Sequence, residues 1–148
     1  DFKLLVVGKK MWWTKEIEKA FYELKFKNDI IFTGRVSEKE LYLITASAYA
    51  LTYVPIFEGF GIPLVEAMSC GTPVITSNIT SMPEVVEDAG ILVDPFSETA
   101  IANAMLRIVN DVNLRNELSE KSKIQAQKFS WGKTADLLWN SIQKTIET

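Results

Sequence analysis

The chain has 148 residues, 47% of them hydrophobic, and a formal net charge of −3, so its length and composition predict one domain with one packed core. The acidic balance, without any run of Lys or Arg, excludes a nucleic-acid footprint and a polybasic membrane patch. The sequence has no histidine and one cysteine, Cys70, which excludes Ser-His-Asp and Cys-His catalysis, histidine-based metal sites and an internal disulfide. We expect a cytoplasmic domain without a membrane span, because the cysteine is single, no apolar run reaches the length of a span, and the N-terminus lacks the basic-then-apolar pattern of a secretion signal.

The first part of the sequence has the pattern of a strand, a helix and a second strand. Phe2–Gly8 is a short apolar run that ends at glycine, which predicts a buried parallel strand. The turn after it, Val7–Met11, has one glycine, and G-x-x-x-x-G-K-[ST] is absent from the sequence. Dinucleotide and P-loop sites are therefore excluded. From Thr14, apolar residues at helical spacing predict a helix, and Ile30–Thr33 is the second predicted strand.

Helix signals and further strands continue the alternation. A capping box, Ser37 with Glu40 three positions later, predicts a helix that runs to about Ala46. Pro63 favours the first turn of another helix, which ends near Gly71. The remaining predicted strands are Tyr49–Val54, Val74–Thr76 and Ile91–Val93.

The C-terminal part of the sequence is predicted to be helical. A single turn is expected near 83–86, and residues 130–148 are expected to form a C-terminal helix that Trp131 and Trp139 hold against the sheet. The longer helical segments begin at Ser97, near Leu114 and at Ser130. Strands that alternate with helices at short spacing predict an α/β fold, a Rossmann-like doubly wound parallel sheet whose ligands lie at the carboxyl ends of the strands.

A glycine-rich segment lies where such a ligand is expected. Glu58 and Glu66 are eight positions apart, one in the loop after the third strand and one in the first turns of the helix that Pro63 begins. Gly59 and Gly61 leave the backbone between them without side chains. Its N–H groups can therefore approach an anion at a helix N-terminus that carries about half a positive charge. The segment predicts a diphosphate site without a lysine.

The two carboxylates indicate what surrounds the diphosphate. Phosphate repels a carboxylate, so Glu58 and Glu66 are suited to accept hydrogen bonds from sugar and ribose hydroxyls. A nucleotide sugar has a hydroxylated ring on each side of a diphosphate, which makes it the predicted ligand. The residues alone leave an alternative open, in which Glu58 is a turn carboxylate and Glu66 complements the helix dipole.

The segment FEGFGIPLVEAMSCGTPVI resembles the E-x7-E signature of the retaining GT-B glycosyltransferases of family 4. The resemblance continues through TSNITSMPEVVEDAGILVDPFSETAIANAM, IIFTGRVSEKEL and the closing FSW. It implies the C-terminal, nucleotide-sugar-binding half of a GT-B fold. The family's domain opens with a further strand and with an Arg and a Lys that clamp the diphosphate, and these do not appear before Asp1. The acceptor domain is also absent, so we expect a single donor-binding domain over 1–148 that is inactive alone.

The resemblance also implies roles for individual residues. Glu66 would hold the ribose. Glu58, the candidate catalytic residue, would contact hydroxyls of the donor sugar and bind it without acting as a nucleophile. The donor-binding residues by this resemblance are Glu58, Gly59, Phe60, Gly61, Ile62 and Glu66, with Gly34, Arg35 and Val36 beside the base. Arg35 departs from the aromatic or small residue that we expect at its position.

The implied function is transfer of a sugar from a nucleotide diphosphate sugar to an acceptor hydroxyl, with retention and without a metal or other cofactor. Mannosyl or glucosyl transfer in polysaccharide or glycolipid synthesis is the implied setting. The partners would be the nucleotide sugar and a glycan or lipid-linked acceptor, and the full-length protein could lie peripherally on a membrane. Two alternatives stay open, a non-catalytic sugar-nucleotide-binding module and a GT-B nucleotide-sugar 2-epimerase.

Several other residues are expected to serve the fold, and the role of a few of them stays open between the fold and the ligand. Cys70 is expected to be a buried small residue, and two tryptophans, Trp12 and Trp13, are expected to pack in the core or against another domain. Thr76, Ser77 and Asn78 either hydrogen-bond the donor or simply end a strand. The acidic residues expected to form a solvated face are Glu84, Glu87 and Asp88.

Overall fold

The computed structural model describes residues 2–11 and 13–147. It divides the chain into two compact units, Asp1–Ile44 and Thr45–Thr148. None of the helices within the described residues has the length and hydropathy of a membrane-spanning segment. The organisation of residues 1–148 as one donor-binding domain stays a prediction.

The first unit contains a parallel strand pair and its connecting helix. The elements are β1 (Leu4–Val7), α1 (Lys15–Glu23), a 3₁₀ turn (Lys27–Asp29) and β2 (Ile30–Gly34), and α2 (Glu38–Ser47) begins here. Leu4 pairs with Ile30, and the register continues to the ends of the strands with one irregularity after Val6. The predicted helix that starts near Thr14 is confirmed, and the Thr14 side chain caps it by accepting a hydrogen bond from the Ile17 N–H. These elements form a βαβ unit, the connection that joins parallel strands.

The prediction that β1 is buried is wrong. All four of its side chains are exposed, from 37% for Val6 and Val7 to 43% for Leu4 and Leu5. The ladder that contains β1 has two strands, so one long edge of β1 has no neighbouring strand among the described residues. The apolar run is therefore a good strand former that gains little burial here.

Aromatic side chains pack together in the first unit. Trp13 meets Phe21 and Phe32 edge to face, with ring centroids 5.9 and 5.4 Å apart. The ammonium of Lys10 lies 3.9 Å from the centroid of Phe32 and 4.6 Å from that of Trp13, which is cation–π geometry. Packing is the expected role of Trp13, whereas Trp12 lies outside the described residues.

The second unit contains a three-stranded parallel sheet and the remaining helices. Its strands are β3 (Leu51–Tyr53), β4 (Val74–Ser77) and β5 (Gly90–Val93), in that order across the sheet. The helices are α3 (Ile62–Ser69), α4 (Met82–Val86), α5 (Glu98–Asn110), α6 (Val112–Ala126) and α7 (Trp131–Ile146). An α/β fold with parallel strands is confirmed, and each predicted strand and helix is present with bounds within a few residues.

The central strand β4 has both faces buried. Val74 belongs to an apolar cluster with α3 and α4, and its neighbour Ile75 belongs to another with α5 and α6. Successive side chains of a strand point to opposite faces, so these two clusters lie on the two sides of the sheet. This arrangement explains why the short segment is apolar without alternation.

The end of α3 shows how the chain turns back into β4. Gly71 has a φ of +72°, its N–H donates to Met68 O, and the Thr72 N–H donates to Ala67 O, both at 2.9 Å. These bonds form a Schellman motif, which confirms the predicted helix stop at Gly71.

The last helix departs from its prediction. No described residue of α7 is buried, and Trp131 and Trp139 are 79% and 60% exposed. The expectation that these tryptophans hold the helix against the sheet is therefore wrong. Apolar spacing indicates that a helix has an apolar face, but it does not specify which surface covers that face.

Candidate functional site

Glu58 lies in the loop between β3 and α3, and its carboxylate is held by a side chain from the end of β3. The Tyr53 hydroxyl donates a 2.6 Å hydrogen bond to Glu58 Oε2. This bond holds the pKa of Glu58 below its ordinary value, and the nearby N–H groups of Phe60, Gly61 and Gly59 lower it further, against the opposing effect of desolvation. The same bond raises the pKa of Tyr53 to about 12. Glu58 is therefore an ionised acceptor near neutral pH, and Tyr53 is its donor.

The main chain of Glu58 is held from a second strand end. Ser81 lies between β4 and α4, and its hydroxyl donates a 3.0 Å hydrogen bond to the carbonyl oxygen of Glu58. β3 and β4 are parallel neighbours, so the loops that follow them meet at the carboxyl edge of the sheet. This is the edge where ligands of parallel α/β folds bind.

The N-terminus of α3 follows directly from Glu58. Gly61 is its N-cap, with a φ of +90° and a ψ of +49°, and Pro63 lies in the first turn. This left-handed conformation favours glycine, and a Cβ on Gly61 would lie 2.8 Å from Met82 Cε. The helix end thus combines a backbone without a cap side chain and the positive end of the helix dipole, which are the features that the sequence predicts for a diphosphate site.

The second glutamate of the signature is on the helix itself. Glu66 is the fifth residue of α3 and its side chain is exposed, so a ligand can reach it from solvent. Phe60, in the loop, is 44% exposed and packs edge to face on Phe129 at 5.5 Å. The structure therefore places Glu58, Gly59, Phe60, Gly61, Ile62 and Glu66 in one continuous loop and helix start.

The residues assigned to the base are in the first unit. Gly34 ends β2 with a φ of +68° and accepts a 2.9 Å hydrogen bond from the Gly8 N–H. Arg35 is exposed and Val36 is half-buried. Their role beside the base stays a prediction.

Thr76 and Ser77 do not face solvent at the end of β4. Both side chains are fully buried, at 0% exposure, and their hydroxyl oxygens have no hydrogen-bond partner among the described residues. The Asn78 N–H donates to Val93 O at 2.8 Å, which extends the sheet by one bond. A nucleotide sugar can reach the hydroxyls of Thr76 and Ser77 only if the residues around them move.

The acidic residues around α4 are paired with lysines from α6 and the segment after it. Lys128 lies 2.9 Å from Glu87, and Lys121 lies 3.0 Å from Asp88. No group of three or more His, Cys, Asp or Glu that could hold a metal occurs within residues 2–11 and 13–147. Burial raises the pKa of the half-buried Cys70 thiol, which disfavours the thiolate that a nucleophile needs.

Sequence reasoning missed the two residues that hold Glu58. Tyr53 is five positions before Glu58 and is predicted only as part of the strand Tyr49–Val54, and the sequence predicts no role for Ser81. The available signal was the position of Tyr53 at the carboxyl end of a strand, where a polar-tipped aromatic side chain can reach the ligand edge.

Comparison with known proteins identifies the family. Residues 1–125 match the family described as "Glycosyl transferases group 1". The chain belongs to the glycosyl transferases group 1 family. Among curated members, the chain is 42% identical over 102 residues to O-antigen chain mannosyltransferase B of Escherichia coli, covering 69% of this chain and 27% of that protein. It is 35% identical to O-antigen chain mannosyltransferase RfbU of Salmonella typhimurium, over 73% of this chain and 31% of the relative.

Solved structures with a similar fold contain it as part of longer chains. Sucrose-phosphate synthase from Thermosynechococcus elongatus superposes with a TM-score of 0.85 at 27% identity, covering 98% of this chain and 39% of that one. The C-terminal domain of a group 1 glycosyl transferase, LpcC of Francisella tularensis, superposes with a TM-score of 0.75 at 25% identity, covering 86% of this chain and 69% of that one. The fold is therefore that of the C-terminal domain of a GT-B glycosyltransferase. The chain spans less than a third of the two curated relatives named above.

Proposed function

We propose that this chain is the donor-binding domain of a retaining glycosyltransferase that transfers a sugar from a nucleotide diphosphate sugar to an acceptor hydroxyl. The observation that carries the proposal is the Glu58 carboxylate, fixed by Tyr53 at 2.6 Å and followed by the glycine-capped start of α3. A fixed anion suited to polyols thus adjoins a positive helix end suited to phosphate.

Each part of the site has a distinct task in this proposal. The Glu58 carboxylate accepts hydrogen bonds from the donor sugar, and Glu66 accepts them from the ribose. The N–H groups at the start of α3 stabilise the negative charge that grows on the leaving diphosphate. Preorganised donors of this type contribute about 10²–10³ in rate each in other enzymes.

Mannosyl transfer in the synthesis of a surface polysaccharide is the specific form that we propose. It is supported by the names of the relatives, which include two O-antigen chain mannosyltransferases and the serotype-specific mannosyltransferase WbdA of Escherichia coli, 30% identical over 82% of this chain. The acceptor glycan would bind to a separate domain of the complete enzyme, which closes over the donor.

Nucleotide binding tests the proposed site directly. Ligand-observed NMR with UDP, GDP and ADP would compare the wild type, Glu66→Ala and a matched control, Glu120→Ala. Glu120 is an exposed carboxylate on α6 that pairs with Lys123. We expect one nucleotide to bind selectively, Glu66→Ala to weaken it and the control to bind as the wild type does. Equal affinity in Glu66→Ala would refute the ribose assignment.

Sugar transfer tests the activity. The complete enzyme would be incubated with a labelled nucleotide-mannose and an acceptor glycan, and the anomeric configuration of the product would be read by NMR. We expect transfer with retention, and loss of transfer in Glu58→Ala. Epimerised donor without transfer, or nucleotide binding without turnover, would replace the proposal by a 2-epimerase or by an inert binding module.

A further inference from the structure

We propose that Tyr53 is a positioning residue for the donor sugar, and that it acts by holding one carboxylate oxygen of Glu58 so that the group presents its remaining acceptor capacity to the sugar hydroxyls. The inference rests on the proposed role of Glu58. It adds a residue outside the E-x7-E segment and assigns it a function that its strand position alone does not indicate.

The hydrogen bond has the geometry of a strong, charge-assisted contact. The distance from Tyr53 Oη to Glu58 Oε2 is 2.6 Å, within the range of about 2.5–2.7 Å for a hydroxyl that donates to a carboxylate. Tyrosine has one hydroxyl proton, and a carboxylate has about four acceptor positions. The contact therefore uses the one proton of the tyrosine hydroxyl, and it leaves the carboxylate able to accept hydrogen bonds from a sugar.

Tyr53, which donates the hydrogen bond, lies on a strand, whereas Glu58, which accepts it, lies in a loop. Tyr53 is the last residue of β3 and pairs with Thr76 of the fully buried strand β4. Glu58 is outside regular secondary structure, and an unrestrained glutamate has several rotamers. A short hydrogen bond from a strand residue is thus a direct way to select one orientation of the carboxylate before the nucleotide sugar binds.

A second contact fixes the other end of the same residue. The Ser81 hydroxyl donates to the Glu58 carbonyl at 3.0 Å, so Glu58 is held at its main chain by the segment after β4 and at its carboxylate by β3. A residue that served only to end a turn would not need both contacts. The arrangement resembles preorganisation of a binding group by its supporting side chains.

The main test is Tyr53→Phe in the complete enzyme, with Tyr42→Phe as the matched control. Tyr42 is exposed on α2, so its hydroxyl can be removed without effect on the site. We expect Tyr53→Phe to lower kcat/KM for the nucleotide sugar about 10- to 100-fold, the usual scale for a hydrogen bond to a charged group. The loss should appear mainly in kcat, because the nucleotide contacts of Glu66 and α3 are intact.

A pH profile separates positioning from simple packing. The Tyr53 hydroxyl holds the pKa of Glu58 down, so its removal raises that pKa and the acid limb of kcat/KM moves to higher pH. Replacing Tyr53 by a fluorotyrosine, a more acidic and stronger donor, should move the acid limb in the opposite direction. Carbon-13 NMR titration of the Glu58 carboxyl group would report the same shifts without turnover, even in a variant whose activity is too low to measure.

The outcomes distinguish this inference from the proposed function. If Tyr53→Phe keeps the wild-type kcat/KM, acid limb and Glu58 titration while Glu58→Gln loses transfer, the positioning role is overturned and the proposed function stands. If Glu58→Gln and Glu66→Ala both retain transfer and donor affinity, the proposed function itself fails. Equal losses in Tyr53→Phe and in its fluorotyrosine counterpart would indicate packing instead of hydrogen bonding and would also overturn the inference.

Discussion

A Cβ atom added to Gly61 would lie 2.8 Å from Met82 Cε and 3.2 Å from Leu64 Cδ1, and both of these neighbours are fully buried. A side chain at the N-cap of α3 would therefore displace the buried Met82 side chain. The same position has a φ of +90°, which only glycine adopts without strain. The helix end that we propose to face phosphate depends on this glycine for both space and conformation.

Gly61→Ala is expected to lower the free energy of unfolding by about 1–3 kcal/mol, because alanine would be strained in the left-handed region and would displace Met82. Nucleotide affinity should fall as well, since the first N–H groups of α3 would be reoriented. Gly59→Ala is the control for the stability measurement alone, because a Cβ there meets nothing within 4 Å. Urea unfolding and NMR titration with nucleotide would measure both effects, and equal stability of the two variants would contradict the strain argument.

Thr76→Val is expected to leave the free energy of unfolding unchanged or to raise it, by at most about 3 kcal/mol. The reason is that the variant removes a buried hydroxyl without a partner among the described residues. Thr72→Val is the comparison variant, in which the buried hydroxyl has a hydrogen-bond partner. Thr72 is 2% exposed and its hydroxyl donates to Thr45 O at 2.8 Å, so its loss should destabilise. Thermal and urea unfolding would compare the pair, and destabilisation of the same size in both variants would mean that Thr76 has a bound partner such as a water.

Gln125→Leu is expected to destabilise the second unit by about 1–3 kcal/mol, since it leaves a buried carbonyl without its donor. Gln125 is 4% exposed, and its side-chain amide donates to Val85 O at 2.9 Å, which ties α6 to α4. Gln127→Leu, at an exposed position near the end of the same helix, is the control. Urea unfolding of both variants should show a loss for Gln125→Leu alone, and the idea fails if the two midpoints coincide.

Acid pH is expected to weaken the ion pairs between the α4 region and the lysines of α6 and its end. Hydrogen bonds from Lys128 and Lys121 hold the pKa values of Glu87 and Asp88 below their ordinary values of 4.5 and 3.8. A carboxyl group whose pKa is lower in the folded state stabilises the fold above its ordinary pKa, and this contribution is lost as pH falls through the folded value.

The double variant Glu87→Gln, Asp88→Asn should therefore lose less stability than the wild type as the pH falls from about 6 to about 3. Urea unfolding at a series of pH values would measure the two slopes. Added salt should reduce the difference, because both pairs are largely exposed. Glu84→Gln, which removes an exposed carboxylate on α4, is the control. Identical slopes for the double variant and the wild type would show that the pairs contribute nothing.

Local signals account for the parts of the fold that were predicted from sequence. The Ser37 and Glu40 side chains form the predicted capping box, with the Ser37 N–H 2.8 Å from the Glu40 carboxylate. Pro63 lies in the first turn of α3, and Gly71 ends that helix in the left-handed conformation. Each of these features depends on residues within about one turn of each other, so a short sequence window contains all the information.

The candidate site was predicted in part. The E-x7-E segment located Glu58 and the start of α3 correctly at the carboxyl edge of the sheet, because that edge follows from the order of strands and helices. Tyr53 and Ser81 were missed because their contacts with Glu58 depend on how β3, β4 and their loops come together.

The sequence alone therefore determined the order of elements, their ends and the place of the E-x7-E segment at the start of α3, since helix caps, turns and apolar runs act over a few residues. Tertiary structure decided which side chains are buried and which polar atoms meet. It placed Thr76 and Ser77 inside the sheet and left the side chains of β1 and the two tryptophans of α7 exposed. Burial depends on what packs across each face, and a hydrogen bond such as that from Tyr53 to Glu58 depends on distances of a few tenths of an ångström, which sequence spacing does not specify.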